Sequence, residues 1–428
     1  MGTHYRNYAP DQSLLLPPSL QDWLPEKHLA YFVSETVDHL NLKKFAERYE
    51  KRGDGTLPYA PAMMVKVLLY GYATGVFSSR RIETKLHEDV AFRVLGANNF
   101  PTYRTIARFR RDNGEALSEI FTQVVSIAQE AGLVNLGVVA IDGSKVKVNA
   151  SKHKAMSYDR MKTEEERLKK EMDELLKRAE SVDEKEDAEY GVDKRGDEIP
   201  AELERRESRR AVIKAAKERV EKRHKEAQKE QEESSKNDDD EPPAKMQDNF
   251  TDPESRIMKT SNGFEQCYNA QISVESSSQL IVAAEVTQET NDKKQLVPMV
   301  GAIERECGDS PDDVLADTGY RSEEAFLELE EKQITGYVAL GREQKDAPKK
   351  ISADLVATKR MAHRLSGKRG AKKYRKRKSI VEPVFGWVKN VIGFRSFSLR
   401  GFRNVGYEWR LLCTALNLRR MNTKMIWV

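Results

Sequence analysis

Cysteine is scarce in this chain. Cys267, Cys307 and Cys413 are the only three in 428 residues, and no two form a CxxC pair. That leaves no disulfide framework and no zinc ribbon to build on, and a reducing compartment fits. Long apolar runs are absent too: no segment approaches the ~18 residues a membrane span needs. The N-terminus lacks a basic-then-apolar leader. These absences point to a cytoplasmic protein. What the chain has in quantity is charge, 33% of residues against 39% hydrophobic, and enough length for two or three domains.

The net charge of +4 hides an asymmetry. From residue 341 onward, Lys and Arg outnumber Asp and Glu by 23 to 5. A basic part of this kind points to a polyanion, and nucleic acid is the usual one. Residues 160–250, by contrast, are densely charged in both signs.

Hydrophobic periodicity divides the chain. The first 131 residues read as helices only, including apolar Pro61–Gly75, Ser79–Glu88 and the basic Thr102–Arg111, where Arg104, Arg108 and Arg111 surround Ile106 and Phe109. Val- and Ile-rich strands begin after Gly132: 135–149, a hairpin of Tyr268–Val274 and Leu280–Val286, Asp313–Ala316 and Gly336–Leu340. Helices are expected at 293–306, 322–332, 378–391 and 406–421. The order is a mixed sheet flanked by helices, an α/β domain after an all-α one. Residues 153–250 interrupt it. There, Tyr158–Ala179 and Pro200–Glu230 carry apolar stripes (Met161, Leu168, Met172, Leu175, Ala179; Leu203, Val212, Ala216, Val220), with breaker-rich Asp183–Gly196 between them. An antiparallel helical hairpin follows, to dimerise, brace DNA or serve as a solvated spacer. Ser234–Pro243, with its acidic run, reads as a flexible joint.

Three carboxylates stand out among 69. Asp142 ends the apolar run Leu136–Ile141, and Asp317 ends Val314–Ala316. Each precedes small or turn-forming residues, Gly143–Ser144 and Thr318–Gly319. An acid at a strand end has a fixed backbone, and hard divalent ions such as Mg²⁺ prefer such oxygen ligands. Glu382 lies in the basic, aromatic Ile380–Lys389 segment. Seven residues apart on a helix, Glu382 and Lys389 share a face, and Lys378 lies one turn earlier. Pro383 suits a first turn, which would start the helix later than Lys378. An ordinary surface ion pair is the plain alternative. The Lys372–Lys378 run puts six cations around Tyr374 and suits phosphate neutralisation. Phe394–Arg403 adds aromatic and basic residues, to contact DNA or to pack.

Several segments together resemble an insertion-sequence transposase of the DDE class. They are Val138–Lys145, Thr251–Lys259, Tyr268–Gln271, Asn291–Asp292, Leu315–Ser322 and Tyr374–Lys389, with helical Tyr59–Asn113 similar to that group's N-terminal domain. The group's signature spaces Tyr, Arg, Glu and Lys with two, three and six intervening residues. Here Tyr374, Arg377, Glu382 and Lys389 are spaced by two, four and six. The resemblance implies a ribonuclease-H-like catalytic domain in 132–152 and 251–428, in which Asp142, Asp317 and Glu382 bind two Mg²⁺ ions (Mn²⁺ as a substitute). It also implies cleavage of element ends and strand transfer, with Lys389, Tyr374, Arg377 and Lys378 on DNA and Arg104, Arg108 and Arg111 in a groove. Double-stranded DNA, a homodimer or larger assembly and a nucleoid location are its expected context. A stand-alone nuclease and a non-catalytic DNA-binding derivative are the alternatives.

Overall fold

A computed structural model describes residues 19–50, 57–151, 154–190, 201–231, 241–341 and 351–425. The first part is helical: α1 (Leu29–Asp38), α2 (Lys43–Glu50), α3 (Pro61–Ala73), α4 (Ser79–Glu88), α5 (Val90–Gly96), α6 (Tyr103–Asp112) and α7 (Gly114–Glu130). Pro61 opens α3, where a missing N–H costs nothing. α3 is buried from Met63 to Ala73 apart from Lys66, as a helix apolar on all sides must be. Thr102 caps α6 through the Thr105 N–H, and Asp89 caps α5, a helix the sequence reading passed over.

Next come β1 (Val138–Lys147), β2 (Ala155–Ser157), α8 (Tyr158–Tyr190), α9 (Ala201–Gln231), β3 (Gln247–Asn249), β4 (Arg256–Thr260), β5 (Gly263–Glu275), β6 (Ile281–Thr287), α10 (Leu296–Cys307), β7 (Asp313–Ala316), α11 (Glu323–Glu331), β8 (Thr335–Val338), α12 (Val356–Ser366), α13 (Lys368–Gly386) and α14 (Phe402–Met425). The main sheet has β5 near its centre. β1 runs antiparallel along one side of β5, while β4 and β6 share the other. β7 lies parallel to β1, and β8 parallel to β7. All four β7 residues are buried, as expected of a parallel strand covered on both faces. The mixed sheet flanked by helices anticipated from the sequence is present.

Two expectations are corrected. Asp142 does not end its strand: β1 continues to Lys147 because β5 stays paired with it as far as Lys147↔Cys267. Nor does Pro383 start a helix. α13 begins at Lys368 and runs through Pro383, so Lys378 lies inside it. Pro383 cannot donate to the Ser379 carbonyl, and Gln279 Nε2 does so instead at 2.8 Å. The helix then widens into a π turn over Trp387–Val391.

The helical region and the sheet share one apolar core, which α14 stitches together by packing on α3, α7 and β6. Close approach is visible at Gly114, where a Cβ would lie 2.3 Å from the Tyr407 ring. The insertion has a smaller core of its own. Met161 and Leu168 of α8 meet Ile213, Ala216 and Val220 of α9. Ile213 takes the place expected of Val212, which is 49% exposed, because Ile213, Ala216 and Val220 recur at three and four residues on one face. α8 extends through Asp183 to Tyr190; Ala179 and Leu203 have side chains outside the described set, as does most of Ser234–Pro243.

Candidate active site

The site forms where β1 and β7 part. Their parallel pairing runs Val138↔Asp313, Val139↔Val314, Ala140↔Leu315 and then stops. Two residues further along stand Asp142, within β1, and Asp317, just past the end of β7, so the register brings two acids from distant sequence to the same level. Asp142 Oδ1 accepts the Gly143 N–H at 2.8 Å, and its Oδ2 meets Arg377 Nη1 of α13 at 3.3 Å. Asp317 caps the single turn Thr318–Tyr320, with Oδ1 accepting the Gly319 N–H at 2.7 Å.

A third acid stands behind this pair. Asp292 Oδ1 accepts from Asn269 Nδ2 at 2.7 Å, Gln271 Nε2 at 2.7 Å and Lys145 Nζ at 3.3 Å. By strand alternation Gly143, Lys145, Asn269 and Gln271 share one face of the β1–β5 pair, whereas Asp142 belongs to the other. A side chain at either glycine beside the acids would displace the polar groups around them. A Cβ on Gly143 would lie 2.2 Å from Gln271 Nε2 and 2.9 Å from Asp292 Oδ1. One on Gly319 would lie 2.9 Å from Asp317 Oδ1 and 3.5 Å from Asp292 Oδ2, which also shows these two carboxylates converging.

Negative charge exceeds its compensation here. Burial pushes the Asp142 carboxyl up to about 6; Asp317 and Asp292 add to the rise, while Arg377 and the Gly143 N–H oppose it. Tyr320, buried and facing the same three aspartates, has its phenol held well above the usual range. It therefore stays protonated and bonds Gln271 Oε1. Burial works against the Arg377 charge, yet Asp142, Tyr374 and Asp317 hold its pKa above normal. Burial lowers the Lys389 ammonium pKa, and the Asp142 charge partly restores it.

A divalent ion fits this donor set on chemical grounds. Asp142 and Asp317 are hard oxygen donors, adjacent, partly desolvated and short of positive charge. As placed, no three His, Cys, Asp or Glu side chains among the described residues form a ready-made ion cage. Glu382 is exposed on α13, and its side chain makes no hydrogen bond or ion pair with another described residue. It lies five residues after Arg377 and seven before Lys389, the two α13-region cations that act on Asp142.

Comparison with known families decides the lineage. Residues 18–112 match a family model described as Transposase domain (DUF772), and residues 240–418 match one described as Transposase DDE domain. The chain belongs to the DDE transposases of insertion sequences. No curated protein and no solved structure matches it. The second match covers Asp317 and Glu382 in a domain of ribonuclease-H-like fold. Asp142 falls between the two matched segments, so its place rests on strand register and electrostatics.

Of the residues singled out from the transposase sequence, Asp142, Asp317, Arg377, Tyr374 and Lys389 come together. Tyr374 hydrogen-bonds Arg377. Lys378 is exposed on α13. Arg104, Arg108 and Arg111 are exposed at i, i+4 and i+7 on one face of α6, and none contacts the acids. Arg110, between them, is instead buried, bonding Tyr72 Oη and the Phe77 carbonyl at 2.9 Å each. Sequence reasoning missed Asp292, Gln271, Asn269 and Lys145 as site residues. Their signal was present in the Tyr268–Gln271 and Asn291–Asp292 segments, but polar residues inside an apolar strand acquire a role only when cross-strand register is known. Among the described residues, no helix is long and apolar enough to cross a membrane.

Proposed function

We propose that this transposase cuts the ends of its insertion element and joins them to target DNA, with Asp142, Asp317 and Glu382 as ligands of two divalent ions, Mg²⁺ or in its place Mn²⁺. The observation that carries this reading is the adjacency of Asp142 and Asp317 at the parting of β1 and β7, with the Asp142 carboxyl pushed up to about 6. When bound, such ions activate water or a DNA 3′-hydroxyl and stabilise the leaving oxygen. The protein's own groups do the rest. Arg377 neutralises Asp142 before ions arrive, and its charge is also felt by Asp317. Glu382, one helix turn and a half from Arg377, supplies the third carboxylate. Lys389, kept within the field of Asp142, holds a phosphate beside the reacting bond. Asp292 is a positioning residue, orienting Gln271 and Lys145 behind the pair.

Tyr374 and Lys378 extend the phosphate contacts along α13, and Arg104, Arg108 and Arg111 on α6 read a groove at the terminal repeat. The working division is 1–131 for end binding, 132–152 with 251–428 for catalysis, and 153–250 as the insertion. Bringing two ends together calls for a dimer or larger assembly at the nucleoid. The test is Mg²⁺-dependent cutting of an element end, and transfer of a precut end, by the wild type and by Asp142→Asn, Asp317→Asn and Glu382→Gln. Each variant should bind DNA and lose cutting by about a thousandfold or more. Normal cutting by any one removes that residue from the mechanism; cutting without strand transfer by the wild type favours a nuclease.

A further inference from the structure

A second feature lies further along β1, away from the acids. After β7 leaves β1, the opened edge is taken by the segment following the π turn: Ser396 bridges to Lys147, and the Phe397 N–H donates to the Lys147 carbonyl at 2.9 Å. This brings together α4, the end of β1, the root of the insertion and residues 393–400. Between them is an open cleft of about 740 Å³.

Its wall carries Arg81, Lys147, Lys154, Arg395 and Arg400, and no acidic side chain among the described residues. These five cations come from four separate stretches of sequence. Arg81, Lys154 and Arg395 are exposed, and their side chains make no hydrogen bond or ion pair with a described residue. Lys147 pairs with Glu265 at 3.1 Å, and Arg400 Nε donates to the Asn149 carbonyl at 2.8 Å. Ser78 faces the same cleft, and its hydroxyl leaves the first turn of α4 uncapped. A cleft lined by one sign of charge focuses its field and concentrates counter-ions, so this wall favours an anion.

We infer that this cleft is a binding site for the sugar–phosphate backbone of duplex DNA. The inference rests on the proposed cutting activity for its purpose, but not for its chemistry. Lys147 stands five residues beyond Asp142, roughly 17 Å at a strand rise of about 3.3 Å. The cleft thereby links the helical region, through Arg81, to the DNA path of the catalytic sheet.

The experiment is the salt dependence of binding to a DNA duplex of about 30 random base pairs, in the absence of divalent ions. Wild type is compared with the Arg81→Ala/Lys154→Ala/Arg395→Ala triple variant and with Arg81→Lys/Arg395→Lys. The triple variant should lose about 2–3 from the slope of log affinity against log salt and bind at least tenfold more weakly at 100 mM salt. The double lysine variant should keep the wild-type slope. Since the three exposed side chains make no hydrogen bond or ion pair with a described residue, thermal unfolding of the triple variant should be nearly unchanged. An unchanged slope in a folded triple variant overturns the inference. Because the readout involves no cutting, a failure of the three-acid mechanism leaves this result standing, and the reverse also holds.

Discussion

The mixed sheet and the helical insertion are both rich in charge, and they treat it oppositely. In the insertion nearly every buried or half-buried acid meets a cation: Glu171 with Arg206 at 3.0 Å, Glu164 with Arg209 at 3.1 Å, Glu165 with Lys217 at 3.3 Å. At its root Asp248, fully buried, is held by Arg219 at 2.7 Å and Arg223 at 2.8 Å. In the sheet, Asp142, Asp317 and Asp292 share two near cations, Arg377 and Lys145, and the Asp142 carboxyl rises to about 6. Compensated charge marks a structural role. Charge left short of compensation marks a site waiting for something positive.

The largest effect should come from removing that excess. Asp142→Asn is expected to abolish cutting and, at the same time, to stabilise the ion-free protein. Native Asp142 keeps its proton up to about pH 6, whereas the unfolded chain releases it near 3.8. The native state therefore binds more protons between those values, and stability falls as pH rises through that window. The gain from Asp142→Asn should be of the order of 1–3 kcal/mol at pH 8 and vanish near pH 4, read from chemical denaturation. A destabilised variant at pH 8 would break the contrast. The same proton competes with the ion: divalent affinity, followed by calorimetry, should rise about tenfold per pH unit below 6 and level off above it.

Next in size is Gly143→Ala. The added methyl collides with Gln271 and Asp292, so cutting should drop on the order of a hundredfold with little change in DNA binding. Wild-type rates would mean that the layer behind Asp142 does not position it. In the insertion the sign reverses. Asp248→Ala should destabilise the hairpin by about 2–3 kcal/mol, less than a fully buried pair because Arg219 is 40% exposed. Loss of hydrogen-exchange protection confined to α9 and β3 would report it. The smallest expected pair is Ile213→Ala against Val212→Ala. The first should cost about 2–4 kcal/mol and the second less than about 0.5, since only Ile213 is inside.

Much of this molecule was legible in one dimension. The apolar runs before Asp142 and Asp317 announced strands because alternation and branching leave few other options. Ser79–Glu88 and Asp313–Ala316 were bounded correctly because polar and turn-forming residues flank them, although Ser78 makes no capping hydrogen bond. Less was legible where a residue's meaning depends on a distant partner. Pro383 reads as a helix start until Gln279 is seen donating to the carbonyl that proline abandons. Val212 and Ile213 are adjacent and equally apolar, and only the angle at which α9 meets α8 chooses between them.

The sequence by itself determined most of the elements and the basic C-terminal fifth, because each is a matter of local pattern or composition. Tertiary structure alone decided that Asp142 and Asp317 stand at one level. That depends on a parallel register between strands 175 residues apart, which no local rule encodes. It likewise decided that Asp292 joins them and that five scattered cations line a single cleft. Burial sets the charge state of Asp142, and burial exists only once the chain has folded around it.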